Sequence, residues 1–337
     1  MEPFVTLDEI RAARERIKNA ARVTPLVEVA WPTFAKATAG KPAKPSGPQA
    51  PKPSGLLLKC ENLQPMGAFK IRGAFNMIAQ LPKDALDRGV ITYSSGNHGQ
   101  AVALAARTLG APAVIVMPTT APAVKVDGCK GYGAEVIMAG TTSLHRQARA
   151  EQEAQARGLT IVPPFDHRQV IIGQGTTGLE ILEQCPEVAT VFVPVGGGGL
   201  ASGVGAAIKL SKPSVRVIAV EPEGAPKMSK SLAAGHPITL DSSASIADGL
   251  MNLRPGDLTF AHIRAFVDEV VTVSEADIAA TVGWLFRNAR LVVEPSGAVT
   301  TAAVALGLGG ADSSKGPIVA IVTGGNVAPE KFAQYIA

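Results

Sequence analysis

The sequence is poor in the residues that mark secreted, zinc-stapled or nucleic-acid-binding chains. Its three cysteines, Cys60, Cys129 and Cys185, lie far apart and form no CxxC pair. That argues against a disulfide framework and a cysteine-ligated zinc site, and for reduced thiols that pack as small apolar side chains. Aromatic residues are 4% of the chain and charged residues 18%. A basic binding face needs clustered Lys/Arg interleaved with aromatics. Part of the net charge of +4 comes instead from the lysines of one Pro-rich segment, so no nucleic-acid partner is expected. No apolar run reaches bilayer-spanning length, and the N-terminus lacks the basic, apolar and small-residue order of a signal peptide. These absences lead to the expectation of a cytoplasmic protein with no membrane or nucleic-acid partner.

What is present is a well-buried composition, 46% hydrophobic over 337 residues, enough for two packed lobes or one large α/β domain. Thr6-Leu7-Asp8-Glu9 is a capping box, and Ile10, Ala13, Ile17 and Ala21 then form one apolar stripe. Residues 35–55 break the pattern with a Pro/Lys-rich stretch that repeats Lys-Pro-Ser-Gly at Lys44–Gly47 and Lys52–Gly55. So little apolar surface cannot offset ordering entropy, so a solvated loop is expected there. Beyond it, short apolar runs alternate with helical ones. Val90–Tyr93, Ala113–Met117, Glu135–Ala139, Leu159–Val162, Thr190–Val195, Val215–Val220, Val270–Val273 and Ile318–Val322 read as strands. The order is βαβ, which implies mainly parallel sheets.

Three stretches carry chemistry. In Met66-Gly67-Ala68-Phe69-Lys70-Ile71-Arg72-Gly73, Lys70 stands at the start of a helix with apolar residues at Ile71, Ala74, Phe75 and Ile78. Desolvation there lowers an amine pKa and makes a carbonyl-directed nucleophile. Gly196-Gly197-Gly198-Gly199 joins a strand to a helix, so backbone N–H groups can close on a phosphate. It is neither a GxGxxG motif nor a Walker A loop. Ser94-Ser95-Gly96-Asn97-His98-Gly99-Gln100 opens another helix, offering hydroxyls and amides that suit a carboxylate, with His98 read as structural before it is read as a base. Thr323 adds a neutral hydroxyl in Val322-Thr323-Gly324-Gly325-Asn326, at the carboxyl end of the last strand. An amine, a phosphate cradle and a carboxylate cradle together fit pyridoxal phosphate acting on an amino acid.

From about Thr6 to Asn326 the sequence resembles the fold-type II pyridoxal-phosphate enzymes, within them the threonine/serine dehydratase and serine racemase branch. The Gly-Ala-Phe-Lys-Ile-Arg-Gly-Ala run and Ser-Ser-Gly-Asn-His-Gly-Gln carry the resemblance, the latter separating this branch from the sulfhydrylases, which resemble Thr-Ser-Gly-Asn-Thr-Gly. The resemblance implies a tryptophan-synthase-β-like α/β architecture, two open parallel-sheet lobes with the cofactor between them. Residues 1–86 and 164–337 would form the large lobe and 87–163 the small one, with no C-terminal regulatory domain and no isoleucine feedback. It also implies a homodimer.

By the same resemblance Lys70, beside Phe69, is the Schiff-base lysine, and Asn97 meets the cofactor's phenolic oxygen. Gly196, Gly197, Gly198 and Gly199 hold the phosphate, and Thr323 faces the pyridine nitrogen. Ser94, Ser95, Gly96, His98 and Gly249 of Ala247-Asp248-Gly249 line the substrate side, with Ser95 as a second catalytic group. The implied reaction is β-elimination of L-threonine or L-serine to a 2-oxo acid and ammonia. Serine racemization and threo-3-hydroxyaspartate dehydration are the alternatives. Phe165 in Pro163-Pro164-Phe165-Asp166-His167 tilts toward dehydratase, because racemases tend to carry Asn there. Members with a divalent cation (Mg or Ca) hold it with a Glu, a backbone carbonyl and an acid. Glu221 and Ala225 match, but Lys227 stands at the third position.

Overall fold

The computed structural model describes residues 3–32, 55–94, 96–121 and 123–337. Apart from Gly55, the Pro/Lys-rich stretch over residues 35–55 lies outside them, as does Ser95.

The strands are β1 (Leu26–Val29), β2 (Leu56–Cys60), β3 (Val90–Tyr93), β4 (Ala113–Met117), β5 (Glu135–Met138), β6 (Thr160–Ile161), β7 (Thr190–Pro194), β8 (Arg216–Pro222), β9 (Glu269–Val273) and β10 (Ile318–Val322). One sheet runs β1-β2-β10-β7-β8-β9, parallel except for β1 against β2. The other runs β5-β4-β3-β6 and is parallel throughout. Every residue of β4, β7 and β10 is buried. Helices cover both faces of such strands, so they read as unbroken apolar runs and not as alternation. The capping box forms, with the Glu9 amide donating to Thr6 and Glu9 accepting the Thr6 amide. All three cysteines are free and buried.

Three helices were not foreseen: Lys83–Arg88, Asp257–Phe266 and Pro329–Ile336. Asp257–Phe266 has a physical cause. The amides of Asp257, Leu258 and Thr259 donate at 3.0–3.1 Å to the carboxylate of Asp166, far back in sequence. A carboxylate is favoured at that positive helix end, and here it is delivered by tertiary structure. The helix from Glu275 also turns π-helical over Leu285–Ala289.

The helix that follows Lys70, Ile71–Ile78, is buried at every residue and packs on the helix Arg168–Gln184. Glycines permit the approach: a Cβ on Gly173 would stand 2.6 Å from the Arg72 carbonyl. Beneath this contact lie four buried charges. Arg72 forks onto Glu61 (2.7 and 2.8 Å) and onto Glu180 (2.6 and 2.8 Å). Lys59 Nζ donates to Glu180 at 2.6 Å and to the Thr24 carbonyl at 2.7 Å. Burial alone would raise the Glu61 carboxyl, but Arg72 beside it holds it below its ordinary value. Removing one member of such a set strands its partners as unpaired buried charges. Arg72→Met should therefore cost about 3–5 kcal/mol in urea denaturation. Arg11→Ala, which removes an exposed pair with Asp8, should leave the midpoint unchanged.

Candidate active site

Lys70 caps the helix Ile71–Ile78, and the segment before it is laid on the end of β10. The Phe69 amide donates to the Thr323 carbonyl at 3.1 Å, the Gly325 amide to Gly67 at 2.9 Å, and Ala68 bridges Gly324. Asn326 Nδ2 ties the two chains further, donating to the Met66 carbonyl and to Asn97 Oδ1, both at 2.9 Å. Lys70 Nζ donates to the Pro164 carbonyl at 2.7 Å and stands 5.1 Å from the Phe69 ring centre. No carboxylate pairs with it among the described residues, and burial lowers its pKa to about 8. At pH 7 about a tenth of this amine is therefore unprotonated, far more than of a lysine in water.

The glycine turn follows β7 and is joined to Lys70 through Pro164-Phe165. A Cβ on Gly197 would overlap the Phe165 ring, and one on Gly199 would stand 3.1 Å from the Phe165 Cα. Gly198 has φ +104°, a conformation that favours glycine, and a Cβ there would lie 2.8 Å from Thr259. Among the described residues the amides of Gly196, Gly197 and Gly198 donate to no protein acceptor. With the helix Gly199–Ser211 opening directly behind them, these donors form an anion cradle.

The Ser94–Gln100 stretch opens the helix Asn97–Leu109. The Gly96 amide is engaged by Ser94 Oγ at 3.2 Å, so it is not among the free donors expected of this stretch. Asn97 Oδ1 accepts from Asn326, and its Nδ2 donates to Glu294 at 2.6 Å, leaving one N–H for a cofactor oxygen. His98, expected on the substrate side, has one ring nitrogen engaged elsewhere, while its buried Nδ1 has no hydrogen-bond partner among the described residues. The ring is buried, Nε2 faces the Val162 carbonyl at 3.0 Å, and burial followed by Lys70 lowers its pKa to about 3. It stays neutral and joins its helix to the chain after β6. Thr323 is buried, its Oγ1 3.4 Å from the Ser296 carbonyl. Gly249 donates to Ser296 Oγ at 2.9 Å, and its carbonyl would lie 3.1 Å from a Cβ on Gly196, so this turn adjoins the glycine cradle.

Three features escaped the sequence reading. Glu294 is buried, contacts Asn97, and has its pKa raised to about 7 by burial and then by Asp248. Its only local mark is the helix-starting Pro295 behind it. Lys125, on the helix Ala123–Gly131, pairs with Asp248 across the two sheets and lies against Gly96. Asn326 links Lys70's segment to Asn97. None of these three has a sequence neighbour that announces its partner.

Glu221 and the Ala225 carbonyl, expected to ligate a divalent cation, do come together, but around the ammonium of Lys227 at 3.5 and 3.0 Å. A metal ion at that position would face the like charge of a protonated Lys227.

An amine with no carboxylate partner among the described residues, an amide cradle and an asparagine, set between two mainly parallel sheets, define a fold-type II enzyme acting through a phosphorylated carbonyl cofactor. Residues 39–324 match the family described as "Pyridoxal-phosphate dependent enzyme". The chain is 41% identical over 324 residues to an L-threonine ammonia-lyase of Thermotoga maritima, covering 96% of this chain and 76% of that protein. It is 44% identical over 275 residues to a serine racemase of Oryza sativa subsp. indica, covering 81% of each. The structure of maize serine racemase superposes with a TM-score of 0.86 at 37% identity, covering 98% of this chain and 97% of that one. The chain belongs to the pyridoxal-phosphate dependent enzyme family. Its residues fit that cofactor: free amides for a phosphate, an amine for the aldehyde, and an Asn97 N–H to spare.

Gly198→Ala should weaken cofactor retention about tenfold, read from absorbance after dialysis, with far-UV circular dichroism unchanged. A carboxyl whose folded pKa lies above its unfolded value loses stability as pH rises between the two. Glu294 should therefore cost about 3 kcal/mol between pH 4.5 and 7. Glu294→Gln should be less stable than or equal to the parent at pH 5 and gain on it by pH 8, measured by urea denaturation of the cofactor-free protein.

Proposed function

We propose that the protein is an ammonia-lyase that converts L-threonine, and L-serine, to 2-oxobutyrate or pyruvate plus ammonia. The observation that carries this is Lys70: an amine without a carboxylate partner among the described residues, its pKa lowered to about 8, beside an amide cradle. The identity to an L-threonine ammonia-lyase over nearly the whole chain supports this reaction class. When bound, pyridoxal phosphate supplies an aldehyde that captures the substrate amine and a ring that draws electrons from the Cα–H bond.

The chain's own residues divide the remaining work. Gly196, Gly197, Gly198 and Gly199 bind the phosphate through their amides. Asn97 and Phe69 would orient the ring, and Thr323 would offer its nitrogen a neutral hydroxyl where a carboxylate would stabilise the protonated form. A ring left unprotonated is a weaker electron sink, which shortens the lifetime of negative charge at Cα and favours rapid elimination over transamination. Lys70 takes the Cα proton as general base. Ser94, Ser95 and the helix amides behind Gly96 hold the substrate carboxylate, and the departing β-oxygen takes its proton from the Ser95 hydroxyl or from the cofactor's phosphate. The Ser95 role rests on the sequence resemblance alone. The reading includes a cytoplasmic homodimer, with lobes divided at residues 86/87 and 163/164. Among the described residues no helix is long and apolar enough to cross a membrane.

Serine racemization is the second reading, supported by the likeness to the rice enzyme; threo-3-hydroxyaspartate dehydration is the third. In a keto-acid assay, L-threonine and L-serine should release 2-oxo acid, D-serine should not, and recovered serine should remain L. Racemic serine would favour the second reading, and selective turnover of threo-3-hydroxyaspartate the third. Lys70→Ala should abolish both turnover and the cofactor's Schiff-base absorbance; retained turnover would refute the assignment.

A further inference from the structure

Four oxygens converge on Lys227, which is completely buried. Its Nζ lies 3.0 Å from the Ala225 carbonyl, 3.0 Å from the Leu250 carbonyl, 3.2 Å from the Val195 carbonyl and 3.5 Å from Glu221 Oε2. Every neighbour is an acceptor. A neutral amine would aim its lone pair at one of them, whereas an ammonium offers three N–H donors and no lone pair. Burial depresses the amine's pKa, and Glu221 opposes that.

The oxygens come from separate parts of the site. Val195 immediately precedes Gly196. Leu250 ends the short turn Asp248–Leu250 that carries Gly249 and the Lys125 partner Asp248. Glu221 lies in β8 and Ala225 in the turn after it. The Glu221 carboxylate also accepts from the Met228 amide (3.0 Å), the Ser229 amide (2.8 Å) and Ser229 Oγ (2.6 Å), which fixes it at the start of the helix Lys227–Ala234. Carbonyls grouped with one carboxylate are the donor set of a hard cation. Here the cation is part of the chain.

We propose that Lys227 is a tethered cation: a positioning residue whose ammonium takes the place of a metal ion in an oxygen cage, locking the Gly196 turn against the Asp248–Leu250 turn, so that the enzyme works without a metal. A bound ion can dissociate or be chelated; a lysine side chain cannot. Cofactor retention and turnover are then independent of Mg²⁺, Ca²⁺ and K⁺. Removing the side chain creates a vacant cage with an unpaired carboxylate, which a free cation can fill.

The proposal goes beyond the reaction assigned above, because metal content and melting temperature are read without substrate. The holoenzyme should contain substoichiometric metal by elemental analysis and keep its melting temperature and kcat/KM within about twofold after chelator treatment. Lys227→Ala should melt lower, lose pyridoxal phosphate more readily and fall about tenfold or more in kcat/KM. Ammonium, methylammonium or Ca²⁺ should restore melting temperature and cofactor retention, while tetramethylammonium, too large for the cage, should not. If Lys227→Ala does not fold, Lys227→Asp supplies the test. Two facing carboxylates should make its melting temperature rise steeply with Ca²⁺. Stoichiometric metal in the parent, inactivation by chelator, an alanine variant that is fully active without added cation or unresponsive to every cation, or an aspartate variant whose stability ignores Ca²⁺ would each overturn the proposal.

Discussion

The buried contact of Arg72 and Lys59 with Glu61 and Glu180 is the constraint on which the rest of the site depends. It draws together β2, the helix Ile71–Ile78 and the helix Arg168–Gln184. Four charges removed from water are tolerable only while each has its partners, so shifting any of the three elements would strand a buried charge. Arg72 is two residues beyond Lys70. The cluster therefore fixes the backbone that presents the amine without spending a carboxylate on the amine itself. Two neighbouring cations are treated oppositely: Arg72 is held charged by two acids, and Lys70, with only a carbonyl at hand, is moved toward its neutral form. Structural charge and reactive amine are separated by two residues, about half a helical turn.

Other buried ionizable groups follow the same division. Lys227 is surrounded by acceptors and serves as an internal cation. Glu294 has mainly Asn97 for company, and its carboxyl rises toward neutrality. His98 is pinned neutral between a carbonyl and the Lys70 amine. The site is thus assembled from groups whose protonation is set by which partners the fold brings them. The pairing of Lys125 with Asp248 closes the same region from the four-stranded sheet and couples the helix beside Gly96 to the turn beside Gly249.

The alternation of apolar runs with helical ones placed β3, β4 and β10 at their observed limits, because strands covered on both faces must be apolar throughout. The helix Asp257–Phe266 was invisible for the converse reason. Its start, Pro255-Gly256-Asp257, reads as a turn, and the group that satisfies its first amides is Asp166, more than ninety residues away. The free donors expected at Gly96 were reduced by a local Ser94 contact, and one of the two His98 ring nitrogens is taken by Val162. Residue type indicated which groups could act, but not which were already occupied.

The order of elements, the glycine cradle and the reactive lysine are written in the chain, because each depends on short-range requirements: periodic burial, missing Cβ atoms, and an amine at a helix start. The partnerships of Glu294 with Asn97, Asn326 with Met66 and Asn97, and Lys227 with four scattered oxygens are not written there. They join residues far apart along the chain, and they exist only once both sheets have formed and brought the ends of their strands together.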